Sequence, residues 1–299
     1  MVGQFFSGAL LLPATRIWIH VVELPGHAAT GHACHVIAFL AMPSVPTLSL
    51  EGRVVLVTGG SRGIGAATVR MFVGAGARVV FNYVRARSEA QRLVEECGAE
   101  SCHAVQADLT GTANAASLVH AAIERFASLD ALVVNHGIWL SEEVDIDQMT
   151  DEQWRTTLAV NLDSTFALVK HAVAQMKRQA RGGHVVMVSS TAGQRGEAGH
   201  VDYAATKGAV ISMTKGLSTE LAPHGIYVNC VAPGWVETDM TAGALSDPAR
   251  RQRIFAAIPL GRVATPDEIA APILFLCTRY AGFITGEIFN VNGGAVLVG

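Results

Sequence analysis

From Arg53 to the C-terminus, short apolar runs alternate with segments of helical period. Val54–Val57 is continuous and β-branched, which suits a strand buried on both faces. Residues 64–73 then place apolar side chains at helical spacing, and the exchange repeats along the chain. Further strands are expected at 79–81, 102–105, 131–134, 185–188, 226–231 and 288–291. Further helices are expected at 88–97, 113–126, 151–177, 201–221 and 266–277. Thr150, with Gln153 three residues on, has the spacing of a capping box before the long 151–177 helix. Pro223 and Gly225 stop the helix that precedes residue 226. Apolar strands each followed by a helix imply a parallel sheet covered on both faces. The fold class expected over residues 49–299 is therefore α/β, a single doubly wound Rossmann-type domain with a seven-stranded parallel sheet. Such a domain binds its ligand at the carboxyl ends of the strands.

Residues 1–48 read differently. They hold four of the eleven histidines, few charges and the prolines Pro13, Pro25, Pro43 and Pro46. No run approaches the roughly 18 apolar residues of a membrane helix, and Met-Val-Gly-Gln lacks the basic start of a secretory signal. A disordered or loosely packed extension is expected, or a chain whose translation begins at Met42; intact mass from the native source distinguishes them. In the whole chain 50% of residues are hydrophobic and 16% charged, enough for a large core. The net charge of −3 gives no electrostatic reason to expect nucleic acid or an anionic membrane as partner. Cys34, Cys97, Cys102, Cys230 and Cys277 are scattered without metal-ligand or disulfide spacing, which fits a reducing cytoplasm.

The first strand runs into Thr58-Gly59-Gly60-Ser61-Arg62-Gly63-Ile64-Gly65 and then a helix. Glycines let the backbone approach a pyrophosphate, and the helix start offers amide donors and partial positive charge. The second strand ends Phe81-Asn82-Tyr83-Val84-Arg85, without the acidic residue that would bind a ribose 2′-hydroxyl. Arg62 and Arg85 suit a 2′-phosphate instead, so NADP(H) is expected over NAD(H). Asp108-Leu109 is placed to meet the adenine ring, although an N-cap role suits Asp108 nearly as well. Asn135-His136-Gly137, after the fourth strand, is placed to line the cofactor's middle. Tyr203 and Lys207, at i and i+4, share a helix face. An ammonium held there favours the phenolate and would lower the phenol pKa.

Together these motifs resemble the short-chain dehydrogenases/reductases from about residue 50 to the C-terminus. The shared positions are the glycine turn, Asn135-His136-Gly137, Asn161, Ser190, the Tyr203/Lys207 pair and Pro233-Gly234. The resemblance implies a tetrad of Asn161, Ser190, Tyr203 and Lys207. Ser190 is preferred to Ser189 because it stands thirteen residues before Tyr203, an interval usual in the family. It further implies that Pro233, Gly234, Val236 and Thr238 close over the nicotinamide, and that residues 239–258 form a lid. Residues 261–294 look most like the 3-oxoacyl-(acyl-carrier-protein) reductases, which implies a homotetramer. The substrate would then be a carbonyl compound such as a thioester on an acyl carrier protein. Docking of such a carrier needs basic residues near the cleft; Arg181 stands where that group can carry one, but His224 stands where a second basic residue is often found, which weakens the carrier-protein reading. The alternatives are a dehydrogenase of another secondary alcohol and a non-catalytic nucleotide-sensing protein. His136 departs from the family's usual alanine. Trp139 and Gln194-Arg195-Gly196 are expected to border the substrate cleft.

Overall fold

The computed structural model describes residues 47–297 throughout and, before them, three strands. Those strands, β1 (Ala9–Leu12), β2 (Thr15–Glu23) and β3 (His35–Phe39), form an antiparallel sheet with β2 in the middle. They lie in a unit, Met1–Thr47, that is compact by itself. Their residues belong to the stretch whose composition suggests a disordered or loosely packed extension.

The second unit, Leu48–Gly299, holds a seven-stranded sheet. Its strands are β4 (Val54–Val57), β5 (Arg78–Tyr83), β6 (Cys102–Gln106), β7 (Ala131–Val134), β8 (Gly183–Val188), β9 (Ile226–Pro233) and β10 (Ile288–Val291). They run parallel in the order β10-β9-β8-β7-β4-β5-β6, so the order reverses beside β4. All four residues of β4 are fully buried, and alternate ones face opposite layers of the core. Val55 and Val57 pack with Phe72 and Ile273, from α1 (Gly63–Gly74) and the last helix. Val54 and Leu56 pack with Leu118 of the third helix and Leu168 of the fifth. Two covered faces are the reason this strand has no polar alternation.

The remaining helices are α2 (Arg87–Cys97), α3 (Ala115–Phe126), α4 (Asp151–Leu158), α5 (Ser164–Gln179), α6 (Thr191–Arg195), α7 (Val201–Leu221), α8 (Asp239–Ser246), α9 (Pro248–Ala256) and α10 (Pro266–Leu276). The long helix expected over 151–177 is divided: a π turn, Ala159–Asp163, separates α4 from α5. Two hydroxyls hold carbonyls in and beside that turn. Ser164 Oγ donates to the Val160 carbonyl at 2.6 Å and Thr165 Oγ1 to that of Asn161 at 2.8 Å. Thr150 does cap α4, accepting from the Gln153 N–H at 3.1 Å. The Gln153 amide, however, reaches Asp202 on α7 and leaves the box half made. The segment 239–258, expected as a lid, is mostly helical, with α8 and α9 separated at Asp247.

One sequence expectation is corrected at the amino edge of the sheet. Arg181 precedes β8 and its guanidinium meets buried Asp130 at 2.8 Å, with Arg53 on the same carboxylate at 3.5 Å. His224 lies in the turn before β9. Both residues stand at the strand starts, whereas a cleft at the carboxyl ends lies beyond the far ends of β8 and β9. Within this chain they do not make a basic rim for the cleft.

Candidate active site

The candidate residues gather past the carboxyl ends of β4, β7, β8 and β9. Gly59 and Gly63 of the glycine turn adopt positive φ (62° and 53°), which lets the chain leave β4 and enter α1. Asn82, inside the otherwise apolar β5, holds this turn. Its Oδ1 accepts from the Gly59 N–H at 2.9 Å, and its amide donates to the Ala107 carbonyl at 2.9 Å. Sequence reasoning missed it; a lone amide within a buried strand is the signal, because it must find partners. Asn135 braces the turn from β7, donating to the carbonyls of Thr58 at 3.1 Å and Gly59 at 3.3 Å. Thr238, at the start of α8, touches the turn from above: a Cβ on Gly63 would meet its methyl at 3.2 Å. Ser61, Ile64 and Gly65 complete the turn into α1.

Toward the adenine end, Tyr83 is buried at the close of β5 and Arg85 is exposed just beyond it. Arg62 is exposed and pairs with Asp239 at 3.3 Å. Asp108 caps no helix. It accepts from the Thr110 N–H and hydroxyl, which hold its carboxyl below the usual range, with Arg85 adding a smaller effect. Leu109 beside it is buried. On the other flank, Gly234 is tied to β10 through the Val291 carbonyl at 3.0 Å, fixing the path out of Pro233. Val236 is buried and bridges to Ala264.

Asn161 and Lys207 meet beside Gly137, Lys207 faces the Tyr203 ring, and Ser190 lies beside the Tyr203 phenol. A Cβ on Gly137 would lie 3.2 Å from Asn161 Oδ1 and 3.5 Å from Lys207 Nζ. The π turn presents Asn161 inward, where its side-chain amide is matched to Ile138: Oδ1 accepts at 2.8 Å and Nδ2 donates at 3.0 Å. Ser189 and Ser190 part company at the end of β8. The Ser189 hydroxyl donates to the Lys207 carbonyl at 2.8 Å, whereas that of Ser190 lies beside the Tyr203 phenol. Gly193 on α6 lets α7 approach, since a Cβ there would stand 2.5 Å from the Lys207 carbonyl carbon.

Electrostatically the pair differs from the expectation. Burial pushes the Tyr203 phenol up to about 12; Ser190 draws it back, and the Glu197 carboxylate adds to the rise. Burial lowers the Lys207 ammonium to about 8. Nζ donates to the Val188 carbonyl at 2.8 Å and stands 5.7 Å from the Tyr203 ring centre. Desolvation, opposed by Ser190 and not by Lys207, therefore sets the direction of the phenol's shift, against the expected lowering.

The family model described as enoyl-(acyl carrier protein) reductase matches residues 59–296. The chain belongs to the short-chain dehydrogenase/reductase family. It is an oxidoreductase. It is 38% identical over 250 residues to the 3-oxoacyl-(acyl-carrier-protein) reductase of Aquifex aeolicus, covering 83% of this chain and 98% of the relative. Among solved structures it is similar to a short-chain dehydrogenase/reductase from Brucella melitensis titled glucose/ribitol dehydrogenase. That match has 36% identity and a TM-score of 0.76, over 83% of this chain and 98% of the other. A 3-ketoacyl-(acyl-carrier-protein) reductase of the same organism, complexed with NADH, matches at 31% identity and a TM-score of 0.76, over 83% and 100%.

Against this short-chain dehydrogenase/reductase background, the structure accounts for His136. Its ring turns away from the cleft and bridges the end of β4 to the π turn. Nδ1 lies 2.8 Å from Thr58 Oγ1 and Nε2 lies 2.6 Å from Ser164 Oγ. The Ser164 hydrogen is committed to Val160, so the imidazole must donate from Nε2 and accept at Nδ1. Burial, with the Lys207 charge second, pushes the imidazole down to about 4 and keeps it neutral. His136→Ala should remove one partner from each hydroxyl, the donor to Ser164 and the acceptor for Thr58, at a cost of about 2 kcal/mol. Calorimetry should read a fall in Tm of about 5 °C; an unchanged Tm would show the bridge contributes nothing.

Proposed function

We propose that this oxidoreductase uses NADP(H) to reduce a carbonyl to a secondary alcohol, with Tyr203 as the general acid. The observation that supports this reading is the chain of neighbours Ser190, Tyr203, Lys207 and Asn161, the last two meeting beside Gly137. Ser190 donates a hydrogen bond to the carbonyl oxygen and holds it beside the phenol. Tyr203 gives that oxygen its proton as negative charge develops. Lys207, one helical turn on, holds the ribose hydroxyls and restores the proton, and Asn161 anchors a water that connects Lys207 to solvent.

The glycine turn fits a dinucleotide. A Cβ on Gly65 would come within 2.1 Å of the Gly59 carbonyl oxygen, and one on Gly60 within 2.5 Å of Phe81, so the surface beneath a pyrophosphate is pared to backbone. When bound there, the cofactor supplies the hydride. Thr58, Asn135 and Gly137 would line its middle, and Val236 and Thr238 its carboxamide end. Leu109 would meet the adenine. NADP(H) is favoured over NAD(H) because β5 ends without a carboxylate and both Arg62 and Arg85 are exposed nearby. NADPH is expected to give a kcat/KM at least tenfold above NADH; equal or reversed values would overturn the cofactor assignment.

The names of the relatives support 3-oxoacyl thioesters as a substrate class, with an acyl carrier protein as the donor partner. A second reading, another secondary alcohol or ketone, is favoured by the surroundings of Tyr203, where Glu197 lies nearby and Trp139 stacks on His200 and meets Trp235 edge to face. A homotetramer is supported by two separate sets of exposed apolar side chains, Phe166 and Trp154 on α5 and α4, and Phe283 and Phe289 around the edge strand β10. Sedimentation of the purified protein tests the tetramer. Cys97, Cys102, Cys230 and Cys277 are unpaired, which favours a reducing cytoplasmic setting. Among the described residues no helix is long and apolar enough to cross a membrane.

A further inference from the structure

Arg62 lies inside the glycine turn, yet its charge is already engaged. Its Nη1 donates to Asp239 Oδ2 at 3.3 Å, across 177 positions of sequence. Asp239 is the first residue of α8, where a helix start favours a carboxylate. Thr238 just before it lies against Gly63, and its N–H donates to the Thr241 hydroxyl at 3.2 Å. The backbone that carries Asp239 is thereby held over the turn that carries Arg62.

The surroundings offer a phosphate no uncommitted substitute. A recess of about 520 Å³ opens beside the start of α1, and Arg62, Arg70 and Arg92 are the arginines that line it. Each faces an acid of its own. Arg70 makes two bonds to Glu96, at 2.8 and 2.9 Å, and Arg92 stands 3.6 Å from Glu89. The Arg62–Asp239 pair has a single contact, and its side chains are 66% and 71% exposed. Such a pair is weak and opens at little cost.

The two nicotinamide cofactors meet this pair differently. The 2′-phosphate of NADPH carries close to two negative charges and takes the flat fork of a guanidinium by paired hydrogen bonds. Arg62 can present that fork only by turning away from Asp239, which leaves a carboxylate near the phosphate. NADH brings a hydroxyl to the same place and makes no claim on the charge.

We propose that Asp239 is a specificity-determining residue for the cofactor: it competes with the 2′-phosphate for Arg62, so NADPH binds by breaking this ion pair and NADH binds without doing so. This rests on the reading of Arg62 as a 2′-phosphate contact, and adds the residue that works against it. The preference for NADPH is accordingly held below what Arg62 alone would give.

The test measures dissociation constants of NADPH and NADH by fluorescence titration, at low salt, for the full chain and its variants. Asp239→Asn should tighten NADPH about threefold, the scale of an exposed pair, and leave NADH unchanged. Asp239→Glu should restore the wild-type ratio. Arg62→Gln should weaken NADPH about tenfold more than NADH, and adding Asp239→Asn to it should then change nothing. At about 0.5 M salt the gain in Asp239→Asn should vanish, because exposed charges are screened. No gain for NADPH, an equal gain for NADH, or a gain that persists in the Arg62→Gln background or at high salt overturns the competition and leaves the cofactor reading standing. Wild-type protein that binds NADH as tightly as NADPH, or an Arg62→Gln variant that weakens both alike, overturns the 2′-phosphate reading and the competition with it.

Discussion

Replacing Tyr203 by phenylalanine is expected to cut carbonyl reduction by about a thousandfold or more, while the dissociation constant for NADPH moves less than about threefold. The phenol stands beside Ser190, and general acids of this kind contribute about 10²–10⁴ in rate. Phenylalanine keeps the ring in its place on α7 and removes only that oxygen. The cofactor's phosphates would rest on the glycine turn, across the site from it, so binding persists. The pH dependence has a definite sign. With the phenol pushed up to about 12, the acid form needed for reduction persists through neutral pH. Alcohol oxidation needs the phenolate, so its rate should climb with pH over the range where reduction stays level in this group. Steady-state rates and NADPH fluorescence titration of the variant check both halves. Retention of a tenth of wild-type activity would remove Tyr203 from the chemistry.

The second large effect is expected at Gly65. In Gly65→Ala the new Cβ would stand 2.1 Å from the Gly59 carbonyl oxygen and 2.8 Å from Asn135 Nδ2. The first of these neighbours is backbone and cannot rotate aside, so either the turn or the first coil of α1 must move. Amide donors that are to meet a pyrophosphate move with it. NADPH affinity should fall at least about a hundredfold, since one misplaced charge-assisted contact costs roughly 1.5–3 kcal/mol and several shift together. Gly74, at the other end of α1, is the control. A Cβ there meets nothing within 4 Å, and Gly74→Ala should leave affinity unchanged. Equal affinities in the two variants would show that the turn does not carry the cofactor.

Much of this was readable along the chain, because it depends on period and local spacing. The run Val54–Val57 required two covered faces, and the sheet supplies them. The seven strands and their helices fall close to the apolar runs that mark them, with small differences such as β6 reaching Gln106. The glycine turn belongs between β4 and α1 by steric necessity, and Tyr203 and Lys207 share a face by helical geometry. What the linear pattern could not contain are contacts between residues far apart in sequence. The π turn at Ala159–Asp163 depends on hydroxyl bonds inside a helix whose apolar period looks continuous. Arg181 sits at the amino edge because Asp130, fifty-one positions earlier, holds it there. His136 is neutral because burial, with the Lys207 charge second, lowers its imidazole, while Thr58 and Ser164 fix its tautomer. Tyr203 is a weaker acid than its lysine neighbour suggested, because burial acts on both groups and is a property of the packed molecule. The sequence alone determined the fold class, the family resemblance and the residues worth placing. Only the tertiary structure decided which of their polar atoms are already matched, and among the described residues it left three buried ones, on His184, Gln194 and His200, without a partner. Periodicity is local, whereas desolvation and hydrogen-bond satisfaction are settled by what the whole chain brings together.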